Sequence, residues 1–339
     1  MTQPRFFKQA TAEGNSGEFK RCLPMGVQTT FKTMAPAIAT AELLRIKPLL
    51  GEPLFEAAAD YYDESNAVEN DSERSTAMNA VVELLQMTVV RLACWDSFAQ
   101  LAVMMTDDGI QNNKGEKRAY RYETDALHES LRRQGYEYLN KVLEHCTTHI
   151  ADLPEFAQSP YYTTRQDSLI RSMSDYERFI SLRGDFCVFA KLREWIDQAE
   201  QMELEYRIGT SMVARLKERR TADGVILRSA MAFIAHWSMA EAAPFLNMGH
   251  TAQGLVIVSE ESGSSTSGGK SEKQPTSQQI DTYAAHHRQA AERYIGQLVT
   301  YCKRNIDNYP EIAEIGTESD TEHGPDLIDN QGKKTFLVI

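Results

Sequence analysis

The chain has 339 residues, a formal net charge of -12, 42% hydrophobic and 25% charged residues. That length accommodates about two ordinary domains with real cores, and the composition is that of a globular chain rich in helix formers. The acidic balance argues against general affinity for a nucleic-acid backbone, which needs many uncompensated Lys and Arg to displace counterions. The scattered cysteines Cys22, Cys94, Cys146, Cys187 and Cys302 include no CxxC pair, so they point to reduced thiols rather than a disulfide framework or a zinc site.

Residues 1–26 form an N-terminal arm whose first residues lack the continuous apolar core of a secretory signal. From residue 27 to 156 the pattern is helical. "FKTMAPAIATAELLRIKPLLGEPLFEAAAD", 31–60, reads as two amphipathic helices joined at Gly51, where glycine reaches the left-handed region cheaply. An acid-rich stretch, 60–74, follows and reads as a solvated loop. "RLACWDSFAQLAVMMTDDGIQ", 91–111, reads as a helix apolar on most faces, the centre of a bundle, with Trp95 in its core. The surrounding apolar segment 78–105 is interrupted by Glu83, Arg91 and Asp96, so a buried helix is expected rather than a membrane span. Leu127, Leu131, Tyr138, Leu139, Val142, Leu143, Cys146 and Ile150 then give the stripe of a long helix that stops before Pro154.

After a linker, 157–176, the same landmarks return within residues 177–312. Phe189, Ile196, Ala199, Glu200 and Gly209 stand 158 positions after Phe31, Ile38, Ala41, Glu42 and Gly51. Trp237, in the apolar stretch 233–256, answers Trp95, and Tyr283, His287, Tyr294, Ile295, Leu298, Val299, Cys302 and Ile306 repeat the stripe 156 positions on. Thr276 and Gln279 offer a capping box at the start of that second long helix. "HCTTHIADLPEF", 145–156, and "YCKRNIDNYPEI", 301–312, share Cys, Ile, Pro and Glu. The unequal spacings fall in the acidic stretch and in the Ser/Gly loop 259–277, where extra length costs little. The expectation is an all-α chain of two tandem, homologous helical bundles, followed by an acidic tail, 313–339. The tail ends in Thr335, Phe336, Leu337, Val338 and Ile339, a β-prone candidate docking strand for a neighbour's sheet edge, with a segment folded back on its own chain as the alternative.

Chemical signals are few. His145 and His149 share a helical face beside Glu144, the one metal or enzyme-like alternative, but the pattern lacks the Glu of HExxH and an obvious third ligand. His286 and His287 are adjacent and point apart. "KGEKRAYRYE", 114–123, and "RLKERR", 215–220, read as solvated basic faces. No phosphate-binding glycine loop, nucleophile elbow or assignable carboxylate pair is present, so neither a catalytic residue nor a cofactor is expected.

The series "F-x-x-M-A-P-A-I-x-x-A-E" and "P-L-L-G-E-P-L-F" in 31–55, the "GI" at 109–110, "KRAYRYE" at 117–123 and the final "GKKTFLVI" resemble an uncharacterised protein family of Bacteroidetes phages and prophages. In outline each half is also similar to the helical head-tail connector (adaptor) proteins of long-tailed phages. That resemblance implies a virion structural protein that forms an oligomeric ring, with further copies of itself and portal or tail-completion proteins as partners. It implies no cofactor and no membrane or sequence-specific nucleic-acid binding, and it places the protein in the virion or the bacterial cytoplasm. A host regulatory adaptor is the remaining alternative of a different kind.

Overall fold

The computed structural model describes residues 3–8, 17–23, 30–64, 73–98, 103–106, 109–112, 121–246, 248–251, 254–257 and 276–313. The first half opens with α1 (Glu18–Cys22) and α2 (Phe31–Ala41). A π-helical turn at Glu42–Ile46 leads into α3 (Lys47–Glu64), and α4 (Glu73–Asp96) follows. Strands β1 (Val103–Thr106) and β2 (Gly109–Asn112) form an antiparallel hairpin before α5 (Arg121–Thr148) and a 3-10 turn at Pro154–Gln158. Two short helices come next, α6 (Pro160–Gln166) and α7 (Met173–Glu177).

The order then recurs. Helix α8 (Phe186–Gln198) runs into a π turn at Ala199–Leu204, followed by α9 (Glu205–Ile208), α10 (Thr210–Lys217) and α11 (Gly224–Ala242). The hairpin of β3 (Met248–Thr251) and β4 (Gly254–Ile257), α12 (Ser277–Arg304) and a 3-10 turn at Pro310–Ala313 complete it. The described fold is thus helical apart from two small hairpins, each placed after the apolar central helix of its half.

Packing repeats with the order. Helix α4 lies between α2 and α5, and α11 lies between α8 and α12. Val81, Leu85, Val89, Leu92 and Ala93 of α4 are fully buried, as are Ala230, Phe233, Ile234 and Ala235 of α11, or very nearly so. Helix α4 has the length and hydropathy to cross a membrane, yet 67% of its apolar window is buried inside the fold, as a core helix requires. Leu131, Leu139, Val142, Leu143 and Cys146 of α5 meet it, and Ala291, Ile295, Leu298 and Cys302 do the same for α11. Both repeated cysteines are core thiols, and burial pushes Cys146 up to about 12 and Cys302 up to about 11.

Several expectations need correction. The stretch 91–111 is not one helix, because α4 stops at Asp96 and a hairpin occupies 103–112; likewise α11 ends at Ala242 inside 233–256. The β-branched and Thr/Gly content of those ends suits a hairpin better than a fourth apolar turn. The long helices stop at Thr148 and Arg304, and Pro154 and Pro310 instead open the 3-10 turns beyond them. Leu127 and Ile306 belong to the apolar stripes by spacing but are exposed. Trp237 is only partly buried, whereas Trp95 is buried as expected. The capping box at Thr276 is present, with its side chain and that of Gln279 bonding each other's backbone N–H.

Residues 157–176 are not an extended linker. Tyr161, Leu169, Ile170, Met173 and Tyr176 are buried in the common core, and Arg165 stacks 3.8 Å from the Tyr161 ring. The halves also meet through Arg132 of α5, whose guanidinium grips the Asp185 carboxylate at 2.8 and 3.3 Å while Asp185 caps α8. The arm is docked too: Phe6 and Phe19 are fully buried against Phe55 and Phe31. The candidate docking strand Thr335–Ile339, most of the Ser/Gly loop and most of the 114–123 stretch lie outside the described residues.

Gly51 and Gly209 take φ 77, ψ 156 and φ 82, ψ 149. This is not the left-handed helical region expected, but an extended region of positive φ that is nearly closed to any residue with a Cβ. A Cβ on Gly51 would also come within 3.1 Å of the Ser159 Cα. Gly51→Ala is therefore expected to cost roughly 1–3 kcal/mol in urea denaturation, and Gly209→Ala to destabilise in the same direction.

Candidate interaction surface

The site is built on the bulged helix that opens each half. A π turn holds one more residue than an α turn, and here the wide bonds run from Lys47 N–H to the Glu42 carbonyl and from Glu205 N–H to the Glu200 carbonyl. The Glu near the start of each bulge stands four residues after a fully buried Ile, Ile38 or Ile196, and so continues the inner face of its helix. Glu42 is 2% exposed and Glu200 3%.

Each buried carboxylate holds the peptide that precedes its own half. Glu42 accepts the Arg5 N–H at 2.8 Å and the Phe6 N–H at 3.3 Å. Glu200 accepts the Leu169 N–H at 2.8 Å and the Ser168 hydroxyl at 3.0 Å. The residues so pinned, Phe6 with Phe7 and Leu169 with Ile170, are buried in the core. Charge is balanced differently at the two sites. Lys217 Nζ lies 3.0 Å from Glu200, while burial pushes Glu42 up to about 7, against the pull of the Arg5 and Phe6 N–H groups and the Arg5 charge. The Arg5 guanidinium itself sits 3.0 Å from Glu56, and the Gln86 amide donates to the Phe6 carbonyl at 2.9 Å.

The outer side of the same bulged helices is apolar where a surface helix is normally polar. Leu43 and Leu44 are 41% and 69% exposed, and Met202, at the position matching Leu44, is 70% exposed. One turn beyond Met202, Tyr206 is 77% exposed, and Phe245 at the end of α11 is 72% exposed and stacks on Trp195 with ring centroids 6.0 Å apart. Met and aromatic side chains presented together in this way are the usual material of protein–protein contacts.

The bulged region of each half also reaches its central Trp. Arg45 lies 5.3 Å from the Trp95 ring and bonds the Tyr136 hydroxyl and Asp96 at 3.0 and 3.1 Å. Arg207 lies 5.3 Å from the Trp237 ring and bonds Glu292 at 2.6 Å. The helix that carries the exposed apolar residues is thereby held rigidly against its neighbours.

The repeated "PE" has a distinct role in each half. Arg74 reaches the Asp152 carbonyl at 2.8 Å and the Glu155 carboxylate at 2.6 Å; Arg215 reaches the Asn308 carbonyl at 2.6 Å and Glu311 at 3.2 Å. "RLKERR" is correspondingly not a solvated face. Arg215 also pairs with the fully buried Asp223, Lys217 with Glu200, and Arg219 with Asp175.

The histidines fill structural positions. His145 Nε2 faces the Ala77 carbonyl at 3.1 Å, His149 Nδ1 faces the His145 carbonyl at 3.0 Å, and the two rings stack 4.2 Å apart. A ring nitrogen bonded to a carbonyl carries the proton, which leaves the lone pair of each ring on its other nitrogen, His145 Nδ1 and His149 Nε2. Glu144 accepts the Ser174 hydroxyl instead of joining them. No group of three His, Cys, Asp or Glu among the described residues is placed to hold a metal ion. His286 is exposed and His287 buried, so the two adjacent rings do point apart. His287 Nδ1 lies 2.8 Å from His236 Nδ1, between Tyr283 and the His236–Tyr294 stack, so one imidazole donates and the other accepts.

Burial lowers both His236 and His287 to about 4. The unfolded chain binds these protons near pH 6.5 and the folded chain only near 4, so stability falls as pH drops through that window. Thermal melts from pH 7 to 4 are expected to show this loss, and His236→Gln, which cannot take up the proton, to make it shallower. Glu42→Ala leaves the Arg5 and Phe6 N–H groups without an acceptor and is expected to cost about 1–3 kcal/mol. Hydrogen exchange should accelerate at those two amides first.

No curated protein and no solved structure matches the chain. A family model does match, over residues 46–166 and 225–321. The first span runs from the end of the first π turn through α6, and the second takes in α11, the second hairpin and α12. Together they cover well over half of the sequence, and the chain belongs to the family of unknown function DUF6712.

Proposed function

We propose that this protein is a self-assembling structural protein whose chain carries two copies of one helical unit. The observation that carries the reading is the recurrence of exposed apolar side chains on the outer face of the bulged helix: Leu43 and Leu44 in the first half, Met202 and Tyr206 in the second. An exposed leucine alone means little, since much of any folded surface is apolar. A large exposed apolar residue at the same position of both halves, Leu44 and Met202, with Leu43 and Tyr206 near it on braced helices, is better explained by contacts with other chains.

The finer role is a head-tail connector or adaptor in a phage or prophage particle, assembled as an oligomeric ring beside portal or tail-completion proteins. Supporting it are the sequence resemblance, the helical units and the net charge of -12, which suits a channel past which DNA slides without sticking.

Purified protein is expected to form closed rings under negative-stain electron microscopy, and monodisperse monomers at all concentrations would refute the reading. Leu44→Glu and Met202→Glu should each weaken assembly in light scattering while leaving the thermal midpoint within a few degrees, because both side chains are exposed. A large loss of stability would show that these residues belong to the core instead.

A further inference from the structure

The second half presents the larger apolar face. Trp195, Met202 and Tyr206 follow one another along the bulged helix, and Phe245 extends the surface from the end of α11 by stacking on Trp195. Two acids border this face without a partner among the described residues, Glu194 beside Trp195 and Glu205 beside Tyr206, whereas Asp197 pairs with Arg193 and Glu203 with Arg207. An apolar face inside an acidic rim selects a partner that is apolar and flanked by positive charge.

The chain itself contains such a segment. Residues 311–329 carry acids and neither Lys nor Arg, and the sequence then changes to Lys333, Lys334, Thr335, Phe336, Leu337, Val338 and Ile339. The acidic part would be repelled by the rim, which fixes the register: only the two lysines and the apolar residues after them match it. Residues 314–339, fully extended, reach roughly 85 Å, enough to cross onto another molecule. An extended segment also needs partners for its own N–H and C=O groups. Hairpin β3–β4 begins at Met248, directly beyond Phe245, and has no third strand among the described residues.

We propose that the face formed by Trp195, Met202, Tyr206 and Phe245 receives the segment Lys333–Ile339 of a second copy of this chain. Lys333 and Lys334 meet the acidic rim, and Phe336 to Ile339 cover the exposed rings and thioether. The inference rests on the self-assembly reading and gives it a mechanism. Tail on face is a heterologous contact, so each copy that receives a tail still offers its own to the next, and the chain of contacts closes into a ring when the rotation permits.

The test uses the full chain and measures mass by light scattering across a dilution series, with circular dichroism melts to verify folding. Met202→Glu/Tyr206→Glu and Phe336→Asp/Leu337→Asp are each expected to raise the apparent dissociation constant by about tenfold or more. Lys333→Glu/Lys334→Glu should weaken assembly as well, and Glu194→Lys/Glu205→Lys in the same chain should restore it. Restoration by the complementary reversal would establish the pairing of these two surfaces. If the wild type assembles and the tail variants assemble equally well, the tail assignment fails while the self-assembly reading stands. If the wild type stays monomeric throughout, both fail.

Discussion

A carboxylate buried inside a π turn organises each half of this protein. Glu42 and Glu200 are out of water, where an ionised group is costly unless hydrogen bonds satisfy it. The peptide that precedes each half supplies donors, two backbone N–H groups for Glu42 and one N–H with the Ser168 hydroxyl for Glu200, so the carboxylate and the peptide are fixed together. The segment at Arg5–Phe6 and the one at Ser168–Leu169 are thereby drawn into the core instead of remaining a loose arm and a loose linker.

The same bulge explains the outer surface. One extra residue in a turn rotates everything after it relative to a regular helix. In both halves a Glu at the start of the turn keeps the inner side set by the helix before it, and an apolar residue within the turn, Leu44 or Met202, lies on the outer side. Interior satisfaction and exterior exposure are two sides of one local geometry. The Arg45–Trp95 and Arg207–Trp237 contacts then brace that helix against the central helix of its half.

The polar networks divide labour in a consistent way. Arg74 with Glu155 and Arg215 with Glu311 hold the turn after the long helix in each half. Arg132 with Asp185 joins one half to the other. Among the described histidines, His145 and His149 bond carbonyls, and His236 and His287 bond each other. Protonation of the His236–His287 pair weakens the α11–α12 contact in acid.

Much of this was legible in the sequence because it depends on local chemistry. Helical period, the glycines that separate paired helices, the Thr276 cap and the burial of Cys146 and Cys302 follow from spacing and residue type alone. Other features depend on what comes near in space. The Gly51 backbone lies in an extended positive-φ region because two helices meet there at an angle that the sequence does not encode locally. "RLKERR" reads as a wet basic surface until Asp223, Glu200 and Asp175 are brought to it. A stripe of apolar residues gives no sign that Leu127 and Ile306 fall beyond the reach of the neighbouring helix. The glutamates carried a signal in the "AE" shared by both halves and in their spacing of four from Ile38 and Ile196, but an acid reads as exposed until a donor is brought to it in space. The sequence by itself determined which segments are helices and that their pattern returns. Tertiary structure decided which side of each bulged helix faces the core, because only packing brings the preceding peptide close enough to satisfy a buried charge.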